Sequence, residues 1–507
     1  MPTETETGSD LESALHDLPP NAHHDTTPSH DGDETKETTP VPERYSVWSF
    51  HEKLCIITLT GAASMLSSMS ANVYFPALPS IADDLGVSIA KINLTITSYL
   101  VLQGLSPMFF GPLADYKGRR LAYACCLAIS AGACTGMALL PNGAYWLLVL
   151  LRCLQSAGSA STISIGYGTI TDIATPGERG TLIGLMSLGP MAGPCIGPII
   201  GGALADAFGW RGIFWFMASF SAAVCVAILL FLPETLRAIV HDGSLRPAWH
   251  LRPVFPLLTH YPSTSLSPSP SNLPKPKRRN PTFLKQKDTL ILLTSNACGF
   301  GLFQALMSSL SPVLEEAYSF LTQTTIGLCF LAVGSGAMLG SFITGRIADS
   351  EFRRQGGTKG SLTPPSFPIE KARLRLLPVY VCGAAVGAVG YGWSVGRTGL
   401  SVPLVFNFVF GWSAIAMMNS HQVLLMDLAP GQGASVTAAN NMFRCLLSAC
   451  IVAFQDPLRS AVGVGWLFVL FAGTMVMIVA PLIFVERRFG PGWRRKRAEK
   501  ALGEVKT

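Results

Sequence analysis

Twelve apolar stretches, each about twenty residues long, limit what this chain can fold into: 53–75, 94–114, 121–140, 145–171, 181–205, 212–232, 289–310, 325–347, 376–396, 402–425, 434–455 and 464–485. A helix rising about 1.5 Å per residue needs roughly twenty residues to cross a hydrocarbon core about 30 Å thick. Lipid offers no water to backbone N–H and C=O groups, so a crossing segment must bond them within itself, as a helix does. Only 13% of residues are charged and 49% are hydrophobic, against about a quarter charged in an ordinary soluble domain. The predicted fold class is all-α and integral to a membrane, with twelve transmembrane helices and the bilayer as partner.

The spans fall into two sets of six. Residues 1–46 are rich in carboxylates, Ser, Thr, Pro and His and poor in apolar residues, and are expected to be a disordered cytoplasmic tail. Residues 47–232 form a first six-helix bundle, 233–287 a Pro- and Ser-rich linker ending in Lys275, Lys277, Arg278, Arg279, Lys285 and Lys287, 288–486 a second bundle, and 487–507 a basic tail. Lys and Arg gather in alternate loops, so the positive-inside rule predicts that the linker and both termini face the cytoplasm. The start of the chain lacks a basic patch followed by a short apolar stretch and cleavage site, so no cleavable signal is expected. The plasma membrane is the expected location, the vacuolar membrane the alternative, and the working unit is expected to be a monomer.

Several function classes are excluded. All twelve cysteines lie inside apolar stretches without a CxxC pair, so neither a metal site nor a disulfide framework is expected. The basic residues sit in loops rather than on one amphipathic face, which argues against nucleic acid. No nucleophile and base pairing, Walker loop or metal-ligand spacing is present, so the chain is not expected to be an enzyme. Without a cofactor or an ATP site, the expected energy source is an ion gradient.

An internal repeat points to transport. The second span runs into Gly111-Pro112-Leu113-Ala114-Asp115-Tyr116-Lys117-Gly118-Arg119-Arg120, and the eighth into Gly345-Arg346-Ile347-Ala348-Asp349-Ser350-Glu351-Phe352-Arg353-Arg354. Gly, Ala, Asp and the paired Arg recur at matching offsets. A second echo follows the fourth and tenth spans, where Asp172-Ile173-Ala174 parallels Asp427-Leu428-Ala429. Two parallel six-helix pseudo-repeats are the architecture of a secondary transporter with its site between the halves at mid-membrane.

With these motifs the chain, over about residues 45–490, resembles the major facilitator superfamily, and within it the fungal twelve-span drug:proton antiporters of the quinidine-resistance type. Gly111, Asp115, Gly118, Arg119 and Arg120 match the family's gating motif, with Asp349, Arg353 and Arg354 as its second copy. The resemblance implies that Asp115 sits against the positive end of a helix from the opposite half while the arginines form charge-assisted bonds. Arg152-Cys153-Leu154-Gln155-Ser156-Ala157-Gly158 resembles the family's fourth-span motif, with Ser156 where Gly is usual. Gly184, Gly193, Gly197, Pro198, Gly201 and Gly202 match the fifth-span motif associated with antiporters. Pro233-Glu234-Thr235-Leu236 departs from the sugar-porter pattern. The resemblance therefore implies proton-coupled efflux of a small organic substrate, drug or endogenous metabolite, with an importer, a facilitator or a non-transporting sensor as alternatives.

An arginine inside a membrane span is expensive unless it faces a partner or water, so Arg152 is the leading candidate for proton coupling or substrate orientation, with snorkelling to the interface as the structural alternative. The resemblance implies a cavity lined by spans 1, 4, 7 and 10, where Asn72, Gln155, Asn296, Gln304 and Asn407 offer amides. Tyr74, Tyr99 and Trp412 offer rings suited to bulky or cationic compounds. Asn440, Asn441 and Arg444 form a second polar group in span 11, and His421, toward the cytoplasmic end of span 10, is a residue type whose unperturbed pKa lies near neutrality, with a hydrogen-bonded structural role as the alternative. No Asp or Glu lies near the middle of spans 1, 4 or 7.

Overall fold

The computed structural model describes residues 46–141, 143–174, 178–259, 286–354, 369–428 and 433–506, which form helices with no strand among them. The helices are α1 (Phe50–Asn72), α2 (Leu78–Leu85), α3 (Ile89–Lys117), α4 (Arg119–Ala138), α5 (Tyr145–Ile173), α6 (Arg179–Phe208), α7 (Trp210–Phe231), α8 (Arg237–Val240), α9 (Lys287–Ala317), α10 (Gln323–Arg354), α11 (Ile369–Arg373), α12 (Leu377–Ser394), α13 (Ser401–Leu428) and α14 (Gly433–Lys506). Ten described helices are long and apolar enough to cross a membrane. One of these, α14, is broken at Gly463 (φ 78°, ψ 167°) into two arms, and α3 has the length to cross but carries Thr95, Thr97, Ser98, Gln103 and Ser106 along its middle. Twelve crossings result. Most of the 1–46 segment and residues 260–285 of the 233–287 stretch lie outside the described residues; the earlier part of that stretch folds onto the first half, where Trp48 Nε1 donates to the Leu258 carbonyl (2.9 Å).

Local signals explain the helix ends. Ser49 caps α1, and Glu52 reaches back to the Ser49 amide (2.7 Å) to close a capping box. Ser88 caps α3 through the Lys91 amide. Within α6, Pro190, Pro194 and Pro198 each delete one backbone bond, which neighbouring helices make tolerable inside a membrane protein.

The fold places polar side chains inside and large apolar ones outside. Thr60, Ser64, Ser67, Ser70, Gln155, Ser159 and Thr162 are wholly buried, whereas Phe109, Phe342, Met477 and Phe484 are exposed. In water that pattern would cost stability; in lipid the apolar exterior is solvated and the inward polar groups find one another.

Each half packs in the same way. In the first, α1 lies against α5 and α6, α3 against α5, and α4 against α5 and α7; in the second, α9 lies against α13 and α14, α10 against α13, and α12 against α13 and α14. The bond from Ser308 to Gln455 places α9 on the first arm of α14, and the edge-on rings of Tyr391 and Phe468 place α12 on the second. The halves meet where α3 packs on α14 and α6 on α10.

Candidate functional site

Arg152 lies seven residues into α5 and is wholly buried. Its Nη1 donates to the Ser70 carbonyl (3.2 Å) and to Gln155 Oε1 (2.7 Å). Its guanidinium carbon sits 4.3 Å from the centre of the Tyr74 ring and 4.5 Å from that of Tyr99. Both rings are fixed by their hydroxyls, Tyr74 by Thr95 (3.1 Å) and Tyr99 by Ser159 (3.2 Å). Ser156, which stands where the resembled motif has Gly, donates to the Tyr99 carbonyl (2.6 Å) and ties α5 to α3. Two rings expected to line a wall for cationic compounds thus clamp the protein's own cation. Nε and Nη2 of Arg152 have no partner, and Arg152 points inward rather than snorkelling.

A second polar group belongs to the other half. Asn296 donates to Asn440 (2.8 Å), Asn440 to Gln422 (2.6 Å), and Gln422 to Thr437 (3.2 Å), joining α9, α13 and α14. Asn441 Nδ2 crosses to the Gln103 carbonyl of α3 (3.1 Å). Arg444 donates from Nη2 to Asn441 Oδ1 (2.9 Å), with its guanidinium 4.3 Å from the Phe300 ring centre. Gln103, Gln422 and Thr437 were not singled out in the sequence, because their participation depends on which helices adjoin.

Other expected site residues stand apart. Asn72 bonds the Ser68 carbonyl of its own helix (2.7 Å). Asn407 is buried with both amide atoms unpartnered. Gln304 is buried on α9, and Trp412 stands edge-on to Phe408 while its backbone lies against Gly336 and Gly340 of α10. The two nitrogens of buried His421 meet Ser295 Oγ (2.7 Å) and the Met417 carbonyl (2.8 Å). The carbonyl requires Nδ1 to donate, whereas the hydroxyl can either donate to Nε2 or accept from it.

At the end of the bundle nearest the termini, Arg119 joins Asp115 (2.5 Å) and Asp172 (Nε to Oδ2, 2.9 Å). Glu234 accepts from the amides of Arg119 (2.9 Å), Arg120 (3.3 Å), Thr235 (3.0 Å) and Leu236 (2.9 Å), sitting at the positive start of α4. Arg120 donates to the carbonyls of Leu229 (2.5 Å) and His250 (3.0 Å). Gly118 turns the chain at φ 110°, and a Cβ there would collide with Glu234. Asp115 thus pairs with Arg119 of its own half. Gly111 stands in open space.

The second half repeats this pair with different residues. Arg373 Nε meets Asp427 Oδ2 at 2.9 Å, so the counterpart of Arg119 is Arg373 of α11. The sequence echo draws attention to Arg353 and Arg354. Arg354 lies 3.7 Å from Glu351, which also takes Arg375 (2.6 Å). The side chains of Asp349 and Arg353 lie outside those described.

The α6 glycines serve close packing. A Cβ on Gly193 would meet Ser68 Cβ at 2.5 Å, and one on Gly197 would stand 3.4 Å from the Val73 nitrogen. Gly201 lies against the Val73 carbonyl, whereas Gly202 faces the Gln323 carbonyl of the other half. Pro198 presents its carbonyl to Gly327 of α10, and Gly184 has open space. Just beyond, Asp206 caps α10, accepting from the amides of Gln323 (3.2 Å) and Thr324 (2.7 Å) and from the Thr324 hydroxyl (2.5 Å). Ser311 donates to the Pro76 carbonyl (3.0 Å), and Phe75 stacks on Phe330. The halves are therefore latched at the end away from the termini. Between described residues, no hydrogen bond joins them closer to the termini than Asn441 with Gln103 and Ser341 with the Met191 sulfur.

Two similarly packed six-helix halves, polar groups buried between apolar outer faces, and a latch between the halves at the end away from the termini define a membrane transporter rather than an enzyme. The chain belongs to the Major Facilitator Superfamily, whose family profile matches residues 60–453. It is 37% identical over 480 residues to the MFS-type transporter tstD of Talaromyces stipitatus, covering 90% of this chain and 86% of that one. It is 33% identical over 477 residues to Citrate exporter 1 of Aspergillus niger, covering 90% and 89%. Two solved structures share the fold: the human organic anion transporter MFSD10 (TM-score 0.57, 16% identity, 85% and 99% covered) and a bacterial homolog of the lysosomal transporter Spinster in an inward-facing conformation (TM-score 0.60, 14% identity, 88% and 98% covered).

Proposed function

We propose that this transporter is a secondary active exporter that moves a small organic molecule out of the cell against proton entry, by alternating access. The latch at the end away from the termini is the observation that carries this reading. Asp206, Ser311 and Phe75 join the halves at one end, while at the other end the Arg119–Asp172 and Arg373–Asp427 pairs brace each half internally. Halves that are internally braced and joined at one end can rock about a central site. On this reading both termini are cytoplasmic, the state described opens to the cytoplasm, the membrane is the plasma membrane, and the protein works as a monomer.

Export rather than import is supported by the glycine packing of α6 against α1 and α10, and by a relative whose name declares it a citrate exporter. Proton coupling is the finer part of the proposal. A proton-independent facilitator is a second reading, favoured by the lack of an Asp or Glu near the middle of spans 1, 4 and 7.

The test is efflux from proteoliposomes loaded with labelled organic acids and drugs, with and without an imposed pH gradient. Flux that rises with the gradient and collapses with a protonophore is expected; equal flux in all conditions moves the assignment to the facilitator.

A further inference from the structure

We infer that the cargo is an organic anion, a molecule bearing at least one carboxylate, recognised between Arg152 and Arg444. This rests on the transport reading above and adds the charge of what is carried.

Arginine keeps its proton in proteins, so it cannot escape the cost of burial by becoming neutral. Arg152 is wholly buried, its recorded acceptors are a carbonyl and an amide, and its Nε and Nη2 are unpartnered. Arg444, eleven residues into the first arm of α14, bonds the Asn441 amide and leaves its Nε buried without a partner. Among the described residues, neither guanidinium has a carboxylate. Among the described residues, Arg and acid pairs lie toward the helix ends, as at Arg119, Arg211, Arg373, Arg459, Arg494 and Arg497. Both mid-membrane cations therefore lack the counter-charge that every one of those pairs supplies.

The two arginines belong to opposite halves yet adjoin successive turns of α3. Tyr99 stacks on Arg152. One turn later, the Gln103 carbonyl takes Asn441, and Gly104 would place a Cβ 3.1 Å from Cys445, the residue next to Arg444. A carboxylate presents two coplanar acceptors that match the fork of a guanidinium. It would supply the acceptor that Nε and Nη2 lack, and an anion reaching both groups would link the halves. A cationic cargo would be repelled by both arginines and would find the facing surfaces of Tyr74 and Tyr99 already taken by Arg152.

The test is equilibrium binding by calorimetry to the full chain in lipid nanodiscs, with citrate, succinate, their methyl esters and tetraphenylphosphonium as probes. The free acids are expected to bind at least tenfold tighter than the esters. Arg444→Gln should remove that tenfold preference while Arg444→Lys keeps part of it. Arg152→Gln should act likewise, and since it empties a buried site, the Arg444 pair decides the matter if that variant fails to fold. Esters or tetraphenylphosphonium binding as well as the acids, or no acid binding at all, overturns the inference. Acid binding without efflux from proteoliposomes upholds it and overturns the transport reading alone; efflux of tetraphenylphosphonium without acid binding does the reverse.

Discussion

Arg373 meets Asp427 through the same atoms and at the same 2.9 Å as Arg119 meets Asp172. In each half an arginine at or just before the third crossing is pinned to an aspartate at the end of the fourth, so the pair braces two neighbouring helices.

Loss of either member should weaken the half that holds it. A charge-assisted bond that is largely out of water is worth about 1.5–3 kcal/mol, so Arg373→Ala and Asp427→Ala should each lower thermal stability in detergent. The exchange Arg373→Asp with Asp427→Arg should recover part of that loss. If the exchange melts no higher than the single variants, the pair is not a brace.

The latch formed by Asp206 should control which face is open. Asp206→Ala removes a cap from α10, a change worth about 1 kcal/mol, or roughly fivefold in an equilibrium. A cysteine placed at Ser311 should then react several-fold faster with a membrane-impermeant maleimide than in the Ser311→Cys parent. Equal rates would show that Asp206 does not hold the closed end.

The α6 glycines should not tolerate alanine alike. Gly193→Ala forces a methyl group to 2.5 Å from Ser68 and should cost about 1–3 kcal/mol through overpacking. Gly184→Ala enters open space and should leave thermal stability within about 1 kcal/mol of the parent. Melting curves by fluorescence-detected size exclusion compare the two, and equal loss would mean that the motif acts through something other than packing.

Gly118→Ala should be among the most damaging single-methyl changes. It combines a backbone at φ 110° with a collision against Glu234, disturbing the carboxylate that holds the start of α4. Adding Glu234→Ala should relieve the collision but not the backbone strain, so the double variant should fold better than Gly118→Ala and worse than Glu234→Ala.

The crossings were legible because hydrocarbon thickness imposes a length that local sequence must satisfy, and a run such as 212–232 can do little else. Arg152 was legible because an arginine in such a run is rare. Its clamp was not, since Tyr74, Tyr99 and Arg152 come from three separate parts of the chain and meet only through helix packing. The pairing of Arg373 with Asp427 was not legible because alignment of the two loops draws attention to Arg353 and Arg354, whereas Arg373 lies beyond the longer second loop. Asp206 carried no periodic or motif signal; its meaning lies in the start of α10, which belongs to the other half.

Gly463 is the one residue between the two arms of α14 that leaves the helical path. A joint that short has no slack, so the arm packed on α9 and the arm packed on α12 cannot slide past one another. Tilting one arm must turn on that glycine, and the second half has at that point a hinge of fixed length rather than a slack loop.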